Sequence, residues 1–110
     1  MTTDKYQLVS VYLNEGDLWD HRPLHLEILR LLERSGCSGG TVVRGLAGYT
    51  AGLGIVTTSL VDAGGKLPVV VQFVERSEKV AEVMPTLRRM AGKRLITIQE
   101  VQLVPPDDLV

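Results

Sequence analysis

Leu67-Pro68-Val69-Val70-Val71-Gln72-Phe73-Val74 is the stretch on which the fold turns. At strand period one set of side chains is Leu67, Val69, Val71 and Phe73, and the other is Pro68, Val70, Gln72 and Val74. A sheet with one wet face alternates apolar with polar residues more cleanly than this. Both faces of this strand therefore need cover. Gly64-Gly65 ahead of it is a turn signal, and Ser77-Glu78 after it opens a helix, with an acid in the first turn where the helix dipole favours it. Val80, Val83, Met84, Leu87 and Met90 form the apolar stripe of that helix. Pro85 lies inside the stripe and predicts a kink or a break into two short helices, and Gly92 ends it. Residues 95–104 then read as a last strand, and Pro105-Pro106-Asp107-Asp108 as a tail.

The first half repeats this plan. Residues 6–13, rich in Val, Leu and Tyr, read as a strand that closes at the turn residues Asn14-Glu15-Gly16-Asp17. Asp20 and Pro23 announce a helix, with Pro23 placed in its first turn. Leu24, Ile28, Leu31 and Leu32 recur at helical spacing up to Gly36. Residues 41–46 are the second strand, and a third could begin near Ile55 or Val56. A β-α-β, β-α-β order in 110 residues is the ferredoxin-like split motif, an α+β single domain whose antiparallel sheet carries two helices on one face. Two helices cover one face only. The apolar second face predicts association with other copies of the chain. Which of the two strand sets meets the helices is left open, because both are apolar.

Composition narrows the function. Twelve Lys and Arg against 13 Asp and Glu give a net charge of −1, so no basic surplus drives nucleic-acid binding. A single cysteine, Cys37, fits a reducing cytoplasm and carries no sign of a lowered pKa. The N-terminus lacks a signal-peptide layout, and no apolar run approaches the roughly 18 residues of a membrane helix. A cytoplasmic protein is expected.

The chemistry-bearing segment is Arg44-Gly45-Leu46-Ala47-Gly48-Tyr49. Glycines let backbone N–H groups approach a ligand, and Arg44 supplies a fork for anionic oxygens. Gly92-Lys93 is a second candidate anion turn, although a lysine after a helix also suits the dipole. His21 and His25 share metal-ligand spacing but lack an evident third ligand, and Pro23 falls between them. Capping or subunit contacts explain them more simply. Trp19 reads as an anchor for the loop before the first helix, and Glu15, Asp17 and Asp20 as turn and capping residues. No nucleophile–base constellation is present, so the expectation is a protein that is not an enzyme and has no certain cofactor and no metal.

Taken in order, Glu15 with Trp19, His21-Arg22-Pro23-Leu24, residues 36–40, Thr41-Val42-Val43-Arg44-Gly45, Gly48-Tyr49, Leu67-Pro68-Val69-Val70-Val71 and Leu95-Ile96-Thr97 resemble DUF190, a branch of the PII-like proteins. The resemblance spans roughly residues 6–104. It implies a ferredoxin-like subunit in a homotrimer, a signalling role, and a small anionic ligand, an adenine nucleotide among the options, in clefts between subunits. Arg44, Gly45, Gly48 and Tyr49 fall where PII proteins carry a Gly-Phe-Gly element, with one extra residue between the glycines. Gly92 and Lys93 are similar to the Gly-Lys of a second phosphate loop, without the Asp-Gly before it. PII proteins also carry basic residues on the last strand, where this chain has Val101-Gln102-Leu103-Val104. Two phosphate-neutralising charges are thus absent, which leaves room for a smaller or less charged ligand. Residues 50–65 correspond to the PII signalling loop. The gene arrangement of the family implies an alternative, an adaptor or accessory subunit of a membrane (fluoride) channel that binds no ligand and is contacted through that loop. Copper-tolerance relatives of the fold imply a weaker one, a metal-binding module resting on His21 and His25.

Overall fold

In a computed structural model of the chain, residues 5–50, 54–58 and 66–106 are described. The Gly64-Gly65 turn, most of the 50–65 loop and the Asp107-Asp108 end of the tail lie outside them. The order is β1 (Tyr6–Asn14), β2 (Leu18–Trp19), β3 (Arg22–Pro23), α1 (Leu24–Arg34), β4 (Thr41–Arg44), β5 (Ala47–Gly48), β6 (Val56–Thr57), β7 (Pro68–Arg76), α2 (Ser77–Ala91) and β8 (Ile96–Val101). The main sheet has the order β4-β7-β1-β8, antiparallel throughout. That is the order two interleaved β-α-β units give. The expected ferredoxin-like α+β architecture is present.

The register resolves the face left open by the sequence. Val9, Val11 and Leu13 of β1 stand opposite Phe73, Val71 and Val69 of β7, and all six are buried. They meet Leu24, Ile28, Leu31 and Leu32 of α1 and Val80, Val83, Leu87 and Met90 of α2. The odd-numbered set of β7 therefore faces the helices. On the other face, Tyr12 opposes Val70, which opposes Val43, and Leu8 opposes Val74. Between these apolar rows runs a polar one, Thr41-Gln72-Ser10-Thr97, in which the Gln72 amide donates to Ser10 Oγ at 3.2 Å. Tyr12, Val43 and Val74 are exposed there.

Local differences from the sequence reading have physical causes. Pro23 is the N-cap of α1, outside the first turn. Asp20 and His21, both at positive φ, form the turn of a two-residue hairpin, β2–β3, in front of the helix. Trp19 on that hairpin packs against the core as expected. Helix α2 runs through Pro85 as one element. Buried Val80, Val83, Leu87 and Met90 hold both sides of it against the sheet, which offsets the backbone hydrogen bond a proline removes. Strand β4 stops at Arg44, two residues early: Gly45 still donates its N–H to its register partner Pro68 O at 2.8 Å, but a proline has no N–H to return and the ladder ends there.

Candidate functional site

Strand β4 ends, β7 begins and β1 ends at the same end of the sheet, and the segment from Gly92 to β8 arrives there too. The Asn14–Asp17 turn is the hub. Asn14 Oδ1 accepts the Gly16 N–H at 2.8 Å, and Asp17 Oδ2 accepts the Asn14 N–H at 2.9 Å, so the turn is closed by its own side chains. Glu15 Oε1 accepts the Leu67 N–H at 2.8 Å and Arg44 Nη2 at 3.0 Å. The Leu67 N–H, then the Arg44 guanidinium, hold the Glu15 carboxyl below its ordinary pKa. On the other side, Arg94 Nε donates to Asp17 Oδ2 at 2.8 Å and its Nη1 to Ala91 O at 3.2 Å. One turn thus joins the cation that ends β4 to a cation before β8.

The expected ligand residues divide into two groups. Arg44, Gly45, Gly48 and Tyr49 lie at the β4 edge. A Cβ on Gly45 or Gly48 would meet Pro68 Cγ at 3.1 or 3.0 Å, so both glycines admit the proline that starts β7. Gly48 pairs with Val56 in the β5–β6 ribbon, and Tyr49 is largely exposed. Gly92 and Lys93 lie beyond α2 at the β8 edge. Gly92 has φ +62°, its N–H donates to Arg88 O at 3.1 Å, and the Arg88 guanidinium caps the carbonyls of Gly92 and Arg94. Lys93 is exposed. Three strand spacings, about 14 Å, separate the two edges. A single chain does not bring the two groups together.

Sequence reasoning missed Arg88 and Arg94 and gave Glu15 and Asp17 only turn roles. The adjacent Lys93-Arg94 pair was a signal, but spacing does not say which of two neighbouring cations turns inward. His21 sits in the β2–β3 turn and His25 in α1, so the two do not share a helix face. Among the described residues no group of three metal-binding side chains is gathered, and His25 Nδ1 is buried without a hydrogen-bond partner.

A second polar cluster lies at the opposite end of β4. Ser38 donates its N–H and hydroxyl to Glu75 Oε1 at 2.6 and 2.9 Å. Burial pushes the Glu75 carboxyl up, but these bonds, the Arg76 N–H and the Lys79 charge together outweigh it and leave the pKa low. Cys37 beside it is raised by burial and then by the Glu75 charge, which keeps the thiol unreactive. Two shallow concavities of about 330 and 410 Å³ open around residues 38–40, away from Arg44 and Gly92.

A family model described as DUF190, Uncharacterized ACR, matches residues 6–103. The chain belongs to the DUF190 family. It is 31% identical over 83 residues to a UPF0166 protein of Methanocaldococcus jannaschii, covering 76% of each chain. It is 27% identical to a UPF0166 protein of Aquifex aeolicus, covering 94% of this chain and 98% of the other. Among solved structures it is similar to CPII, a nitrogen regulatory PII-like protein from Thiomonas intermedia K12, bound to ADP, AMP and bicarbonate. That match has a TM-score of 0.62 at 17% identity, over 94% of this chain and 97% of the other. CPII bound to ADP, AMP and acetate matches with a TM-score of 0.63 at 16% identity, over 96% and 95%. The DUF190 chain has the PII-like fold. No helix among its described residues is long and apolar enough to cross a membrane.

Proposed function

We propose that this DUF190 chain is a PII-like regulatory subunit that binds a small anionic ligand, an adenine nucleotide in the first instance, between the subunits of a homotrimer. One observation carries the reading. Arg44 with Gly45 and Gly92 with Arg94 open at the same end of the sheet but on opposite edges. A heterologous contact, the kind that closes rings, sets one subunit's β4 edge against the next subunit's β8 edge. Such a ring completes the site from two half-sites. The apolar rows Val43-Val70-Tyr12 and Val74-Leu8 give the open face an apolar surface for the same assembly. The ADP and AMP held by CPII support the choice of ligand class.

Calorimetry with AMP, ADP and ATP, together with light scattering, tests the reading. Heat from at least one nucleotide is expected, with a particle mass about three times the 12.1 kDa chain. A monomer that binds none of them would sink it.

A second reading, an accessory subunit of a membrane transport protein, is favoured by Leu46, Tyr49 and Ile55, which are all strongly exposed around the β5–β6 ribbon. Deleting residues 50–65 should then abolish co-purification with a fluoride channel whether or not nucleotide is present. Unchanged co-purification would exclude that route of contact.

A further inference from the structure

We propose that Glu15 is a built-in competitor for the anion Arg44 would hold, and that its charge limits how many negative charges the site accepts. The inference rests on the ligand reading above and concerns the same site. Glu15 is the anchored member of the pair. Its Oε1 is tied to the Leu67 N–H at 2.8 Å, and its side chain is only 19% exposed, against 54% for Arg44. The carboxylate cannot swing away without releasing the first backbone donor ahead of β7. An incoming anion therefore meets a guanidinium with one donor already committed and a fixed negative charge beside it. A guanidinium has five donors in a rigid fork, so a phosphoryl oxygen can use the remaining ones while Glu15 stays in place. Each further ligand charge is then repelled at close range, and a monophosphate is penalised less than a triphosphate. Asp17 repeats the device for Arg94 from the same turn. The hub that joins the two half-sites also neutralises the cation of each.

Glu15→Gln tests this, because the amide oxygen still accepts from Leu67 while the charge is gone. Two readouts are taken. Phenylglyoxal labelling, mapped by peptide mass spectrometry, reads the reactivity of Arg44 without any ligand, with exposed Arg89 as internal reference. Calorimetry reads AMP, ADP and ATP. The expected result is about threefold faster labelling of Arg44, with affinity gains rising from about 3-fold for AMP to about 10-fold for ATP. Equal labelling of Arg44 in wild type and variant overturns the proposal, whatever the nucleotides do. Faster labelling with equal gains for all three nucleotides overturns the charge limit. Faster labelling with no nucleotide bound by either protein overturns the nucleotide reading instead and leaves Glu15 as the guard of Arg44. If Glu15→Gln does not fold, Asp17→Asn with Arg94 labelling decides the same question on the other pair.

Discussion

Val70 and Tyr12 stand directly opposite one another on the face of the sheet turned away from α1 and α2, while their neighbours Val71 and Val11 stand opposite one another beneath those helices. Consecutive residues of one strand thus serve two different surfaces. A carboxylate at Val71, which has no exposed surface, would be an unpaired charge in the core and cost more than the fold can absorb. One at Val70 would lie on the open face. Val71→Asp is expected to abolish the folded circular-dichroism signal. Val70→Asp should keep that signal and lower the mass in light scattering from about three chains to one. A folded Val70→Asp trimer would remove the open face from the assembly.

Gly45, Gly48 and Pro68 form a second testable contact. A β-carbon at either glycine falls against Pro68 Cγ, closer than ordinary van der Waals contact. Gly48→Ala should destabilise by about 1–3 kcal/mol in urea unfolding, as overpacking does. Pro68→Ala removes Cγ, so the double variant should recover most of that loss. Additive losses would show that the glycine serves something other than the proline. A loss confined to ligand affinity, with stability unchanged, would point to close approach of a ligand.

The contact also shows what was legible in the sequence. Leu67 to Val74 announced a strand needed on both faces, and the helical stripes from Leu24 and from Val80 fixed the two helices, because periodicity is a local property. The choice of face was not legible, since Val69 and Val70 are chemically identical and only register separates them. Arg44 was readable as a cation beside a loop. Its pairing with Glu15, 29 positions earlier, depends on β1 and β4 being separated by β7 alone, which no spacing encodes. Pro85 misled for a related reason: the buried faces on either side of it outweigh a local propensity.

Glu75 and Glu15 each contribute to the expected response to acid. Both carboxyls sit below their ordinary pKa of 4.5 in the folded chain. A depressed folded pKa stabilises above the unfolded value, and the contribution is lost as pH falls through the folded value. Unfolding free energy should therefore be level near neutrality and decline once pH drops below about 5. Glu75→Gln, which keeps an acceptor for Ser38 but no charge, should lower stability at pH 7 and flatten that decline. Urea titrations of both proteins from pH 7 downward measure it. An equally steep decline in the variant would place the acid sensitivity elsewhere.

Gly92 offers the last discrimination, between a backbone role and a ligand role. Its φ of +62° with ψ of −123° lies where a side chain is strained, whereas Gly39 has open space around its Cβ position and no positive φ. Gly92→Ala should cost about 1–3 kcal/mol, the range for a residue forced into such a conformation. Gly39→Ala should be neutral or stabilise by up to about 1 kcal/mol, since it only restricts the unfolded chain. Thermal melts read the difference as several degrees between two variants of the same chemical change. The carbonyls of Gly92 and Arg94 share the Arg88 guanidinium, so strain at Gly92 also disturbs the approach to Arg94. Gly92→Ala should accordingly weaken AMP or ADP as well as lower the melting temperature, while Lys93→Ala, at an exposed position, should alter affinity alone or nothing. A melting temperature unchanged by Gly92→Ala would refute the strained backbone, and an affinity unchanged by both variants would take the ligand away from the β8 edge.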